Sequence, residues 1–181
     1  MSIAPDEVLL TCHPDSACGA LEHVAAQVAR TARHLVMTFR LAGDLSRVRL
    51  PPPAPRERSD GLWRHTCCEA FIVAPQAQGA YLEWNFAPSG AWAAYRFDAY
   101  RSGMSPLATS PPDIELTRAA RELVLRARVA LDVAPAGHAR LALAAVVEDS
   151  AGQLSYWALR HAPGRPDFHH PDSFALEIPA P

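Results

Sequence analysis

The sequence predicts an all-β domain, specifically a two-sheet antiparallel β-sandwich of jelly-roll type, and three observations carry that expectation. Apolar residues alternate with polar ones: HLVMTFRLAG sets Leu35, Met37, Phe39 and Leu41 on one face. ELVLRARVAL likewise sets Leu123, Leu125, Ala127, Val129 and Leu131 opposite Arg126 and Arg128; both are the period-2 signature of a half-buried strand. The separators PAPRERSDG, PQAQG, PSG, APAG, DSAG and APGRPD all carry turn chemistry. The intervals between most strands are too short for a crossover helix, which disfavours a βαβ arrangement.

Taken in order, the chain begins MSIAPDEVLL, with two acids and no positively charged stretch ahead of a long apolar run. No signal peptide and no membrane span are expected, and the cytoplasm is the expected compartment. In GALEHVAAQVARTAR the alanines would suit a helix. The alternation of Val24, Ala26 and Val28, followed at once by the strand at 35–41, favours a hairpin instead. LPPPAPRERSD at 50–60 is an excursion within one domain spanning 1–181, a size within the usual single-domain range. Further strands are expected at 66–73, 81–87, 91–98, 140–148, 154–159 and 173–178. Net charge is -2, and every basic residue is arginine with no basic stripe, so a nucleic-acid partner is not expected.

Two polar clusters stand out: DGLWRHTCCEAF at 60–71 and GRPDFHHPDSF at 164–174. Cys67 and Cys68 are neighbours, and Cys12 and Cys18 are separated by five residues; neither pair has C-x-x-C spacing. All four are expected to be reduced, with Cys67 and Cys68 packed as small apolar residues. If 66–73, 81–87 and 91–98 form an antiparallel meander, one sheet face gathers Glu69, Glu83, Asn85 and Arg96 beside Trp92. Carboxylate and amide oxygens accept from hydroxyls, guanidinium donates, and an aromatic ring covers a sugar's C–H face, so such a face suits a polyhydroxylated ligand. The plain alternative is a solvated face on which Arg96 neutralises a glutamate.

DGLWRHTCCEAFI, YLEWNFAPSGAWAAYRFDAYRSGM and the terminal LRHAPGRPDFHHPDSFALEI together resemble the DOMON-like family related to type 9 carbohydrate-binding modules, over nearly the whole chain. The resemblance implies a β-sandwich and a non-enzymatic domain that binds a carbohydrate or sugar-containing metabolite without a cofactor. Sugar-binding relatives hold a terminal sugar between two tryptophans, with a glutamate six residues after the first and an Arg-x-Asn pair on the next strand. Trp63, Glu69 and Asn85 match that pattern. Glu83 stands where the arginine would be, and Phe168 is the nearest aromatic to a second tryptophan. The resemblance places the loop 161–172 at the sheet end that carries Trp63. Phe168 and His169 would then face Trp63 across a cleft, and Asp60, Arg64 and His65 would supply polar partners for the loop.

Three rivals follow from the same residues. Some relatives bind haem through methionine with histidine or lysine; Met37 belongs to a core pattern, whereas Met104 could reach a cavity. His161, Asp167, His169, His170 and Asp172 are suitable donors for a divalent metal, or simply caps for their own backbone. Glu69 and Glu83 could imitate a glycoside-hydrolase pair. No G-x-S-x-G, Gly-rich phosphate loop or H-E-x-x-H occurs to suggest other catalysis.

Overall fold

The computed structural model describes residues 7–131 and 137–180. The strands are β1 (Val8–Cys12), β2 (Leu21–Arg30), β3 (His34–Gly43), β4 (Cys67–Val73), β5 (Tyr81–Phe86) and β6 (Trp92–Phe97). They continue with β7 (Ser105–Pro106), β8 (Asp113–Arg118), β9 (Glu122–Ala130), β10 (Ala139–Glu148), β11 (Leu154–Ala158) and β12 (Leu176–Ile178). Single-turn 3-10 helices occupy Leu45–Arg47, Leu62–Arg64 and Pro171–Ser173. The 21–43 segment is the expected hairpin: Val24, Ala26 and Val28 of β2 and Leu35, Met37, Phe39 and Leu41 of β3 are all buried.

The protein is all-β, but the strands are joined in one hydrogen-bonded sheet rather than two separate ones. Its order is β7-β6-β5-β4-β10-β11-β1-β2-β3-β9-β8, with β12 beside β10, and every pairing between these strands is antiparallel. The join is β1: Val8–Leu10 pair with β2, while Thr11 and Cys12 pair with β11. Alternation reports which face a side chain takes within one strand, and carries no information on a strand that divides its bonds between two neighbours. The sheet curls onto itself, so that Leu35, Phe39 and Leu125 share one buried cluster with Cys68, Trp84 and Phe86.

A second apolar cluster lies on the outer face of β4, β5, β6 and β10. It comprises Phe71, Tyr81, Tyr95 and Phe97 with Ala142, Ala144 and Val146 of β10, capped by Phe168 and Phe174 of the segment before β12. Apolar area removed from water contributes about 25 cal/mol per Å2, so the rings of Phe168 and Phe174 pin this segment to the sheet.

Cysteine usage differs from expectation. Cys12 and Cys18 form a disulfide, with Cα atoms 6.4 Å apart. The chain leaving β1 turns sharply, with the Ser16 N–H donating to the His13 carbonyl, and this returns Cys18 to Cys12. Cys67 and Cys68 are free and buried on opposite faces of β4, where burial pushes both thiols up.

Candidate functional site

The site is built on the outer face of the sheet, under the segment 160–174. Antiparallel pairing sets Glu69 opposite Asn85, Phe71 opposite Glu83, and Glu83 opposite Tyr95. Directly opposed residues share a face, so Glu69, Glu83, Asn85, Tyr81, Tyr95 and Phe97 all point outward. On the same face, β10 and β11 present Val146 opposite Tyr156. Together they floor a cavity of about 350 Å3 whose walls include Trp63, Glu69, Glu83, Phe97, Arg101, Met104, Val146, Tyr156, Phe168 and His169.

Trp63 enters this cavity from the 3-10 turn Leu62–Arg64. Gly61 precedes that turn at φ 77°, in the left-handed region where a side chain would be strained. The Tyr95 hydroxyl donates to Asp60 Oδ1 at 2.6 Å, and the Tyr95 ring meets Trp63 edge-on at 6.0 Å. One residue of β6 therefore anchors the loop twice. Trp63 remains 36% exposed.

Beneath it lie two buried carboxyl groups. Glu69 is 3% exposed and its Oε1 has no hydrogen-bond partner among the described residues. Burial and the neighbouring Glu83 raise its carboxyl well above the usual range. Glu83 Oε1 accepts from Asn85 Nδ2 at 2.8 Å, yet burial still carries Glu83 up to about 7. Asn85 is fully buried, and its Oδ1 is also without a partner.

A hydrogen-bonded relay closes the other side. The Arg101 N–H donates to Tyr81 Oη at 3.3 Å, and that hydroxyl lies 2.7 Å from His169 Nδ1. Burial lowers His169 to about 4, so its ring is neutral. With Nδ1 accepting from Tyr81, the ring proton sits on Nε2, 3.9 Å from Glu83 Oε2. Arg101 is held by Asp167, with Nη2 to Oδ1 at 2.7 Å, and Tyr100 donates to the same carboxylate. These bonds hold Asp167 below the ordinary aspartate range against its partial burial.

The structure brings together five of the residues expected from sequence: Trp63, Glu69, Glu83, Phe168 and His169 line one cavity, and Asn85 lies against Glu83. Phe168 is 7% exposed and packs on Tyr156, making it a wall rather than an open stacking platform. Arg96 is not part of the site. It pairs with Leu82, on the face opposite Glu83, is exposed, and lies 3.6 Å from Asp98. Trp92 is on that opposite face as well, buried beneath the Arg58 guanidinium at 4.7 Å. The expected grouping was displaced by one residue along β6, which exchanges the faces of every side chain on the strand.

The partners expected for the last loop also differ. His65 instead meets Glu148 at 2.7 Å, and Asp60 binds Tyr95. The loop is held by Tyr81, Tyr100 and Arg101, while His161 Nε2 contacts the Thr11 carbonyl at 2.8 Å. Its histidines and aspartates are thereby dispersed among separate bonds. Among the described residues, no group of three or more His, Cys, Asp or Glu is arranged to hold a metal ion. The sequence does not single out Tyr81, Arg101, Phe97 or Tyr156. The alternation Tyr81–Glu83–Asn85 is the signal that puts Tyr81 on this face, whereas Arg101 reaches the cavity only through the turn after β6, at a positive φ of 52°.

No protein-family model matches the chain, and no curated protein matches its sequence. Solved structures share its fold. A candidate carbohydrate-binding protein from Bacteroides uniformis ATCC 8492 matches with a TM-score of 0.67 at 13% identity, covering 93% of this chain and 84% of the other. A family 9 carbohydrate-binding module from Caldicellulosiruptor kristjanssonii, in complex with cellotriose, gives 0.58 at 11% identity over 97% and 82% of the two chains. The module in complex with glucose gives 0.56 at 12%, over 88% and 76%. The chain therefore shares its fold with these structures.

Proposed function

We propose that this is a non-enzymatic carbohydrate-binding domain that takes one terminal sugar into the cavity between Trp63 and the segment 160–174. The observation that carries this reading is a half-exposed tryptophan above two buried carboxyl groups, of which Glu69 keeps an unpartnered oxygen and Glu83 is braced by Asn85: the ring covers a C–H face, while Glu69 and Glu83 accept from hydroxyls. The sugar complexes of the family 9 modules support it through shared fold, and the DOMON-like resemblance is consistent with it. The finer two-sheet sandwich description belongs to the same proposal, with the curled sheet's two halves acting as its layers.

A glycosidase is the rival reading, since such enzymes need one carboxylate that stays ionised as nucleophile or base beside one protonated acid, and release of reducing sugar separates it from binding alone. Calorimetric titration with a panel of monosaccharides and β-linked disaccharides tests the proposal, with reducing-sugar release measured in parallel. Binding of at least one sugar without release supports it; a panel without binding, or catalytic release, overturns it.

A further inference from the structure

The cavity has an excess of hydrogen-bond acceptors and of latent negative charge that its own residues answer only in part. Among the described residues, Arg101 is the one arginine on its wall; its charge favours ionisation of Glu69 and Glu83, but its guanidinium is engaged by Asp167 through Nε at 3.1 Å and Nη2 at 2.7 Å. Among the described residues, no arginine is bonded to Glu69 or Glu83, and the ring proton on His169 Nε2, 3.9 Å from Glu83, belongs to an uncharged imidazole. Glu69 Oε1 is likewise a buried acceptor without a donor among the described residues. Leaving a buried acceptor unpaired opposes folding, the more so when the group is charged.

From this arrangement we infer that the site selects a sugar bearing a protonated amino group, whose ammonium sits between Glu69 and Glu83. An ammonium has three donors and no acceptor, suiting a pair of carboxyl groups that offer acceptors, and its charge offsets the cost that burial places on their ionisation. A neutral sugar offers donors without charge. The inference rests on the proposed sugar site and specifies its ligand.

The ionisable groups facing the two carboxyls from neighbouring elements are Cys67 on β4, Tyr81 on β5, Tyr95 on β6, Arg101 with Asp167, His169, and Tyr156 on β11. Cys67, Tyr81 and Tyr95 are pushed up and stay neutral, as does His169, which is pushed down. Glu83, carried up to about 7, is accordingly the group that changes charge near neutrality. An ammonium bound beside it draws its pKa down and releases a proton.

The test is calorimetric titration of the intact chain with glucosamine, glucose and N-acetylglucosamine near pH 7, in two buffers of different ionisation enthalpy. Glucosamine is expected to bind about tenfold or more tightly than the two uncharged sugars, with proton release to the buffer. Glu83→Gln and, separately, Glu69→Gln should bring the three affinities together, with melting temperatures confirming that each variant is folded. Glucose binding as tightly as glucosamine would overturn the inference while leaving the sugar site standing. Binding of ethanolamine but of no sugar would remove the sugar site and retain the amine selectivity. No binding by any of these ligands would overturn both.

Discussion

The two faces of the strands β4, β5 and β6 are built from the same short stretches of chain, yet they solve opposite problems. The inner face presents Cys68, Ala70, Ile72, Trp84, Phe86 and Ala94 to one continuous apolar cluster. The outer face sets Glu69, Glu83 and Asn85 among Tyr81, Tyr95 and Phe97, equally removed from water. Burial of the first kind stabilises the fold, whereas burial of the second opposes it, since polar groups leave water without full compensation. A face that retains such groups is shaped for something other than stability.

Four experiments would break or sharpen that contrast. Trp84→Ala, on the inner face, should cost about 3–5 kcal/mol by opening a cavity in a fully buried position; chemical denaturation would read it. A loss below about 1 kcal/mol, near the range of surface substitutions, would deny the inner face its role. Trp63→Ala, on the outer side, should abolish measurable sugar binding while moving the melting temperature by no more than about 2 °C, because the ring is exposed and acts in recognition. A large stability loss would make Trp63 a core residue.

The third experiment uses pH. Glu83 has a folded-state pKa of about 7 against an ordinary value of 4.5. Its protonated form is the one that folding favours, so this contribution is complete below about 4.5 and disappears as pH rises through about 7. The melting temperature of Glu83→Gln should exceed that of the parent chain increasingly across that window, by a few degrees at its upper end. A parallel pair of curves would show that the carboxyl is not opposed by burial. Fourth and smallest, Arg96→Ala should change stability by about 0.5 kcal/mol or less and leave sugar binding intact, since its contact with Asp98 is exposed.

That last variant marks where sequence reading failed. Alternation correctly paired Glu69 with Glu83 and Asn85, because in β4 and β5 apolar and polar positions contrast strongly. In WAAYRF the contrast is weak: Ala93 and Ala94 suit either face, and Arg96 looked like a natural partner for a glutamate. Pairing settles the ambiguity, since Tyr95 stands opposite Glu83. Strand β8 was passed over for a related reason. As an edge strand it buries Ile114 alone and exposes Leu116, so little pattern survives. The meeting of Trp63 with Phe168 was legible through the family resemblance, whereas the Tyr81, Arg101 and Asp167 relay was not, since turn geometry after β6 creates it.

Strand β1 carries a consequence for how the molecule comes into being on the ribosome. Its first half can pair with β2 as soon as residues to about 30 have emerged, and the β2–β3 hairpin is equally local. Thr11 and Cys12 must wait for Ala158 and Trp157, nearly at the end of the chain. During synthesis the second half of β1 is therefore an open edge, able to recruit any passing strand. The disulfide from Cys12 to Cys18 lies at that edge and restricts the chain leaving it. A cross-link at this position would thus act on the nascent chain as well as on the finished fold, by limiting which partners the waiting edge can accept.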